Sequence, residues 1–202
     1  DDPAISLGID MLTMLFDMNM QMQAPTTEII RGERLLNGAI RRMYTSRNFY
    51  PDANSTMRLS FGTVCGYTPF DGAEYDYYTT TKGVLEKVKA HVGDVDFAVQ
   101  PEILSLLSSG NFGRYADEKG EMKVCFISNN DITGGNSGSA MFNSKGVLLG
   151  LAFDGNWEAM GSDILYEPKM QRTIGVDVRY ILFMIEKYGK AGNLIQELNI
   201  LN

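Results

Sequence analysis

The sequence is poor in the residues that build metal frameworks and disulfide scaffolds, with 2 cysteines and 1 histidine among 202 residues. A zinc site draws on clusters of Cys and His, so none is expected, and Cys65 and Cys125 lie too far apart in sequence to read as a redox or metal pair. No cofactor is implied. No apolar run approaches the ~20 residues that cross a bilayer, which argues against a membrane span. Cations are outnumbered: 18 Lys and Arg face 25 Asp and Glu, for a formal charge of −7. A surface tracking phosphates needs the opposite balance, so nucleic acid is not an expected partner. Internal repeats and low-complexity stretches are also lacking. The chain opens Asp1-Asp2-Pro3, without an initiator Met or the basic and apolar stretches of a signal peptide. The reading is a piece of a longer polypeptide, with a mature chain cut after a leader as the alternative.

What is present is a helical stretch followed by a β-rich one. From residue 2 to 47 the apolar spacing is helical, with Asp2 as cap, Pro3 at the first position, then Ile5, Leu7, Ile9, Leu12 and Leu15. Pro25 is expected to break the pattern, so that a second helix from Thr26 or Thr27 packs antiparallel on the first. Met11, Met14, Met18, Met20 and Met22 then read as flexible core filler. From Thr56 the period changes to two. Met57, Leu59, Phe61 and Thr63 alternate with Arg58, Ser60, Gly62 and Val64, which predicts a half-buried strand and puts a domain boundary near 50 to 56. Further strands are predicted over 74–80, 122–127, 140–143, 147–153 and 173–176, with helices over 83–89 and 101–109. Asp177 can cap a last helix stopped by Gly189, and Leu194, Ile195 and Leu198 follow on a final amphipathic turn.

The chemistry is concentrated in Gly134-Gly135-Asn136-Ser137-Gly138-Ser139-Ala140, between two predicted strands. Glycines on both sides of Ser137 let the backbone turn sharply, so that the N–H groups of Gly135 and Ser137 can converge beside the Ser137 hydroxyl as an oxyanion hole. Taken alone, the string reads equally well as a turn without chemistry. Its company shifts the balance. Gly-Asn-Ser-Gly-Ser followed by an apolar strand and a hairpin returning as Val147-Leu148-Leu149-Gly150-Leu151 resembles the nucleophile loop of chymotrypsin-like peptidases. Where most of those have Asp before the serine, Asn136 is neutral, so a buried salt bridge to a new N-terminus is not expected.

The resemblance narrows over Asn129 to Ser139, Gly150 to Met160 and Gln171 to Tyr180, which look like the bacterial dipeptidyl peptidases of the type 7 and type 11 family. It spans essentially the whole chain but only the C-terminal part of that family's enzymes. It implies a mainly β fold with α: the second six-stranded barrel of a double β-barrel over 54–202 with a C-terminal helix, preceded over 1–53 by the end of an α-helical cap domain. Within that frame Ser137 is the nucleophile and Gly135 lends an oxyanion N–H. Asp154 holds the free amine of an oligopeptide substrate, as a carboxylate suits an ammonium. Gly155 shapes the P1 pocket, where an Arg would pair with an acidic P1 side chain and Gly favours hydrophobic ones. Phe153 is a candidate wall of the same pocket. The resemblance also implies export to the periplasm or cell surface and a homodimer at full length.

A serine needs a base, normally His oriented by Asp. The only candidate is His91, which matches no catalytic motif of the family, so the triad's His and Asp are expected on a region N-terminal to this chain. Two alternatives stand beside this reading: a glutamyl-endopeptidase-like protease sharing the serine loop, and an inert peptide-binding pseudo-peptidase.

Overall fold

The structure is a computed structural model and describes residues 2–47, 49, 55–162 and 165–201. Two compact units divide the chain, 1–51 and 52–202.

The first unit is one helix, α1 (Pro3–Met43). Asp2 Oδ1 accepts the Ala4 N–H at 2.8 Å, and Pro3 sits where its missing N–H costs nothing. The expected break at Pro25 does not occur, and the predicted antiparallel pair is a single 41-residue helix. An interior proline forfeits the bond to the carbonyl four residues back and costs about 3 kcal/mol. No residue of α1 is buried, so water can take up the orphaned Gln21 carbonyl, while Thr27 Oγ1 donates to the Gln23 carbonyl at 2.9 Å across the same turn. The five methionines read as core filler are exposed, because a single helix offers them no opposing surface within its unit.

The second unit is a five-stranded antiparallel sheet in the order β1-β2-β5-β4-β3. Its strands are β1 (Tyr78–Thr80), β2 (Lys123–Ser128), β3 (Ala140–Phe142), β4 (Leu148–Gly155) and β5 (Thr173–Asp177). The β3–β4 hairpin turns across the predicted Ser144-Lys145-Gly146, where Asn143 Oδ1 accepts the N–H groups of Lys145 and Val147. The Phe126 ring lies so close over Gly150 and Gly175 that a Cβ at either would fall 2.8 Å from it, so these strand positions need glycine.

Against the sheet pack α2 (Thr81–Ala90) and α4 (Val178–Phe183), which continues into a π turn (Met184–Tyr188); α3 (Pro101–Ser108) and α5 (Gly192–Glu197) pack on that turn. Leu107, Phe112, Tyr115, Met122, Leu182, Phe183 and Ile195 form the core. Phe183 meets Phe112 and Tyr115 edge-on, at 5.7 and 6.0 Å between centroids. Asp177 caps α4 as predicted, accepting the Arg179 N–H at 2.9 Å, and pairs with the Arg179 guanidinium at 2.6 Å. The Tyr115 hydroxyl donates to Glu186, which holds that carboxyl below the usual range. Burial and this bond push the phenol up to about 12.

The predicted strand over 56–64 is a correction. Only Val64 makes a bridge, to Ser128, flanked by Asn129 N–H donating to the Thr63 carbonyl at 3.0 Å and Cys65 N–H to Ile127 at 3.2 Å. Over 57–60 the alternation survives with its faces exchanged, and 61–64 are exposed throughout. Met57, Leu59 and Phe61 are 98%, 84% and 88% exposed, whereas Arg58 and Ser60 are half-buried. Polar contacts decide the phase, with Ser60 Oγ donating to the Asp131 carbonyl at 2.7 Å. Among the described residues the barrel expected with six strands is therefore a five-stranded sheet edged by β1 and β3. Cys65 and Cys125 are free thiols, and burial raises the Cys125 pKa.

Candidate active site

The loop between β2 and β3 carries the serine motif. It folds on itself through Asn136, whose N–H donates to the Thr133 carbonyl at 3.2 Å and whose Oδ1 accepts the Thr133 N–H at 3.1 Å. Two bonds then pin it to β4: Gly138 N–H to the Ala152 carbonyl at 2.7 Å, and Ala152 N–H to the Ser139 carbonyl at 2.8 Å. Gly135 and Gly138 have φ of 97° and 81°, left-handed conformations that a side chain would strain on either side of Ser137. Ser137 is exposed. Among the described residues neither its hydroxyl, nor its N–H, nor that of Gly135 has a hydrogen-bond partner, whereas the N–H groups of Asn136, Gly138 and Ser139 are all engaged.

β4 brings the other candidates to the same end of the sheet. Its register slips between Ala152, opposite Gly175, and Asp154, opposite Ile174. A bulge of this kind re-aims side chains, and here Phe153 and Asp154 are consecutively exposed where strict alternation would turn one inward. Asp154 Oδ1 accepts the Gly155 N–H at 2.7 Å. Gly155 does not face empty space, since a Cβ there would lie 2.9 Å from the Ala159 methyl, on the 3-10 turn Trp157–Gly161.

Behind Gly155 lies a polar frame absent from the sequence reading. Asn156 N–H donates to the Arg172 carbonyl at 2.9 Å, and Arg172 N–H to Asn156 Oδ1 at 2.8 Å. The Arg172 side chain, only 6% of the residue exposed, donates to the carbonyls of Gly66, Pro168, Lys169 and Gln171 and lies 5.4 Å from the centre of the Tyr67 ring. Tyr67 in turn donates to Glu158 at 3.0 Å, and burial raises its pKa. Arg58 was likewise missed as a site neighbour: its guanidinium donates to Thr133 Oγ1 at 3.3 Å and Asn136 Oδ1 at 3.1 Å.

An exposed hydroxyl beside two unclaimed N–H donors can supply a nucleophile and hold a developing oxyanion, but the proton needs a base. His91 is otherwise engaged. Its ring stacks on Phe97 at 4.0 Å, with Nδ1 2.9 Å from the Lys87 carbonyl at the end of α2. Among the described residues no cluster of three or more His, Cys, Asp or Glu side chains could hold a metal, and no helix is long and apolar enough to cross a membrane.

Over 200 residues the chain is 50% identical to dipeptidyl-peptidase 7 of Porphyromonas gingivalis, covering 99% of this chain and 28% of that protein. The Asp/Glu-specific dipeptidyl-peptidase of the same organism is 37% identical over 200 residues, covering 99% of this chain and 28% of its own. The chain thus spans about a quarter of the length of these curated relatives. The crystal structure of Porphyromonas endodontalis DPP11 in complex with the dipeptide Arg-Glu superposes with a TM-score of 0.71 at 41% identity, over 79% of this chain and 23% of that one. The profile of the Peptidase S46 family matches residues 1–200, and on that near-complete match the chain belongs to the peptidase S46 family.

Proposed function

We propose that this chain carries the nucleophile side of a serine dipeptidyl peptidase, which releases dipeptides from the free N-terminus of oligopeptides and prefers a hydrophobic P1 residue. The observation that carries the reading is the serine loop: Ser137 stands exposed between two left-handed glycines, and the N–H groups of Gly135 and Ser137 are not spent on internal bonds. In the reaction Ser137 Oγ attacks the scissile carbonyl while those two N–H groups receive the oxyanion. The base that takes the hydroxyl proton, with its Asp, belongs to a part of the polypeptide outside this chain.

Asp154 is the anchor for the substrate amine, and its bulged, exposed position beside the loop suits that task. A carboxylate there counts the chain from its end, which an endopeptidase has no need to do. Gly155 and Phe153 shape the P1 side. The uncharged Gly155 and the relationship to dipeptidyl-peptidase 7 support a hydrophobic P1 over an acidic one. The same reading includes export to the periplasm or cell surface and assembly as a homodimer.

The test uses the protein as its gene encodes it, with matched peptides bearing free or acetylated N-termini and a hydrophobic second residue. Dipeptide release from the free peptide alone, abolished in Ser137→Ala and reduced at least tenfold in Asp154→Ala, is the expected result. Equal cleavage of both peptides would establish an endopeptidase instead, and no cleavage of either an inert scaffold.

A further inference from the structure

Asn136 immediately precedes the proposed nucleophile, and being neutral it cannot form the buried ion pair that an Asp would offer. The structure supplies a different fastening. Arg58 Nη2 donates to Asn136 Oδ1 at 3.1 Å and Nη1 to Thr133 Oγ1 at 3.3 Å, from a segment 78 and 75 residues away in sequence. The same Oδ1 accepts the Thr133 N–H at 3.1 Å, and the Asn136 N–H returns to the Thr133 carbonyl. The turn from Thr133 to Asn136 is thus closed from within by Asn136 and gripped from outside by a planar guanidinium, whose two donors fix a plane as well as a distance. Asn136 lies covalently between the peptide groups that matter, since Gly135 N–H comes one residue before it and Ser137 N–H one residue after. Any rotation of its backbone turns them.

We infer that Arg58 is a positioning residue for the oxyanion hole: by holding Asn136 Oδ1 and Thr133 Oγ1 it sets the direction of the Gly135 and Ser137 N–H groups. The inference rests on the assignment of Ser137 as nucleophile. It also accounts for the inverted alternation of the segment after Thr56, which turns Arg58 inward and leaves Met57, Leu59 and Phe61 outside. Arg58 does not touch substrate in this scheme. Its effect falls on the transition state, where the N–H groups are used, and not on ground-state binding.

The protein as its gene encodes it is compared with Arg58→Ala and Arg58→Lys on a peptide with a free N-terminus, together with the rate at which a fluorophosphonate labels Ser137. The expected result for Arg58→Ala is a kcat lower by about 10- to 100-fold with KM changed less than about twofold. Labelling slows in parallel, because the phosphonyl oxygen uses the same two N–H groups. Guanidinium added at millimolar concentration restores part of the lost kcat, and Arg58→Lys, which offers one donor nitrogen in place of two, lies between. Wild-type kcat in Arg58→Ala overturns the inference. So does a loss accompanied by an equally lowered thermal midpoint and no response to guanidinium, the mark of a purely structural residue. Absence of Ser137 labelling in the unaltered protein would overturn the nucleophile assignment first and separately.

Discussion

The longest helix of the molecule buries nothing, while three of its short helices carry most of the core. α1 runs for 41 residues without one buried side chain, whereas α3, α4 and α5, of 8, 6 and 6 residues, supply Leu107, Leu182, Phe183 and Ile195. In water an isolated helix below about 12 residues is marginal. The short helices therefore exist because they pack, and α1 because its length, its Asp2 cap and its Arg41 and Arg42 at the C-terminal dipole sustain it locally. One kind of secondary structure has two separate sources of stability in one chain.

The largest break in that comparison is Phe183→Ala. Removing a ring that is 1% exposed and flanked by Phe112 and Tyr115 lowers the stability of the second unit by about 3–5 kcal/mol. Urea unfolding followed by tyrosine fluorescence should move to a lower midpoint with the helical signal of α1 unchanged; a joint shift would show that the two regions share one source of stability. Pro25→Ala works in the opposite direction and in the other region. It relieves a penalty of about 3 kcal/mol within α1, so the helical circular-dichroism signal should melt at a higher temperature, while the second unit keeps its midpoint. No gain would mean that α1 does not run through Pro25 in solution.

The smallest effect sharpens the comparison by pH. The folded-state pKa of Glu186 is lowered, so its contribution is present above the usual carboxylate range and is lost as pH falls through the folded value. Between pH ~6 and ~3 the unaltered chain should therefore lose slightly more stability than Glu186→Gln. Parallel stability curves would remove Glu186 from the account.

Local rules were legible in the sequence and long-range ones were not. Asp2, Asp177 and the Ser144-Lys145-Gly146 turn act where they were read, because caps and tight turns are decided within three or four residues. Pro25 was misread for want of one fact that no local pattern holds, namely that no residue of α1 is buried. The alternation after Thr56 gave the right period and the wrong face, since the phase is set by Arg58 and Ser60 reaching residues 131 to 136. At the site, the serine loop and Asp154 stood out through their motif. Arg172 did not, because its nearest guide was a lone Arg before a strand, and its bonds to Gly66 span 106 residues. Arg58 gave no signal either, since the alternation put it on the polar, outward phase, and its partners lie 75 and 78 residues away.

The closeness of Ala159 to the space a Cβ at Gly155 would fill has a consequence for how this position can change over evolutionary time. The Ala159 methyl is tied rigidly to its own backbone, so it cannot swing aside for a Cβ placed 2.9 Å away. Any side chain at 155 therefore arrives with a penalty that a prior change at 159, or a shift of the turn, must first remove. Substitution at 155 is thus the second half of an ordered pair, whose first half is a change at 159 or in the turn that carries it.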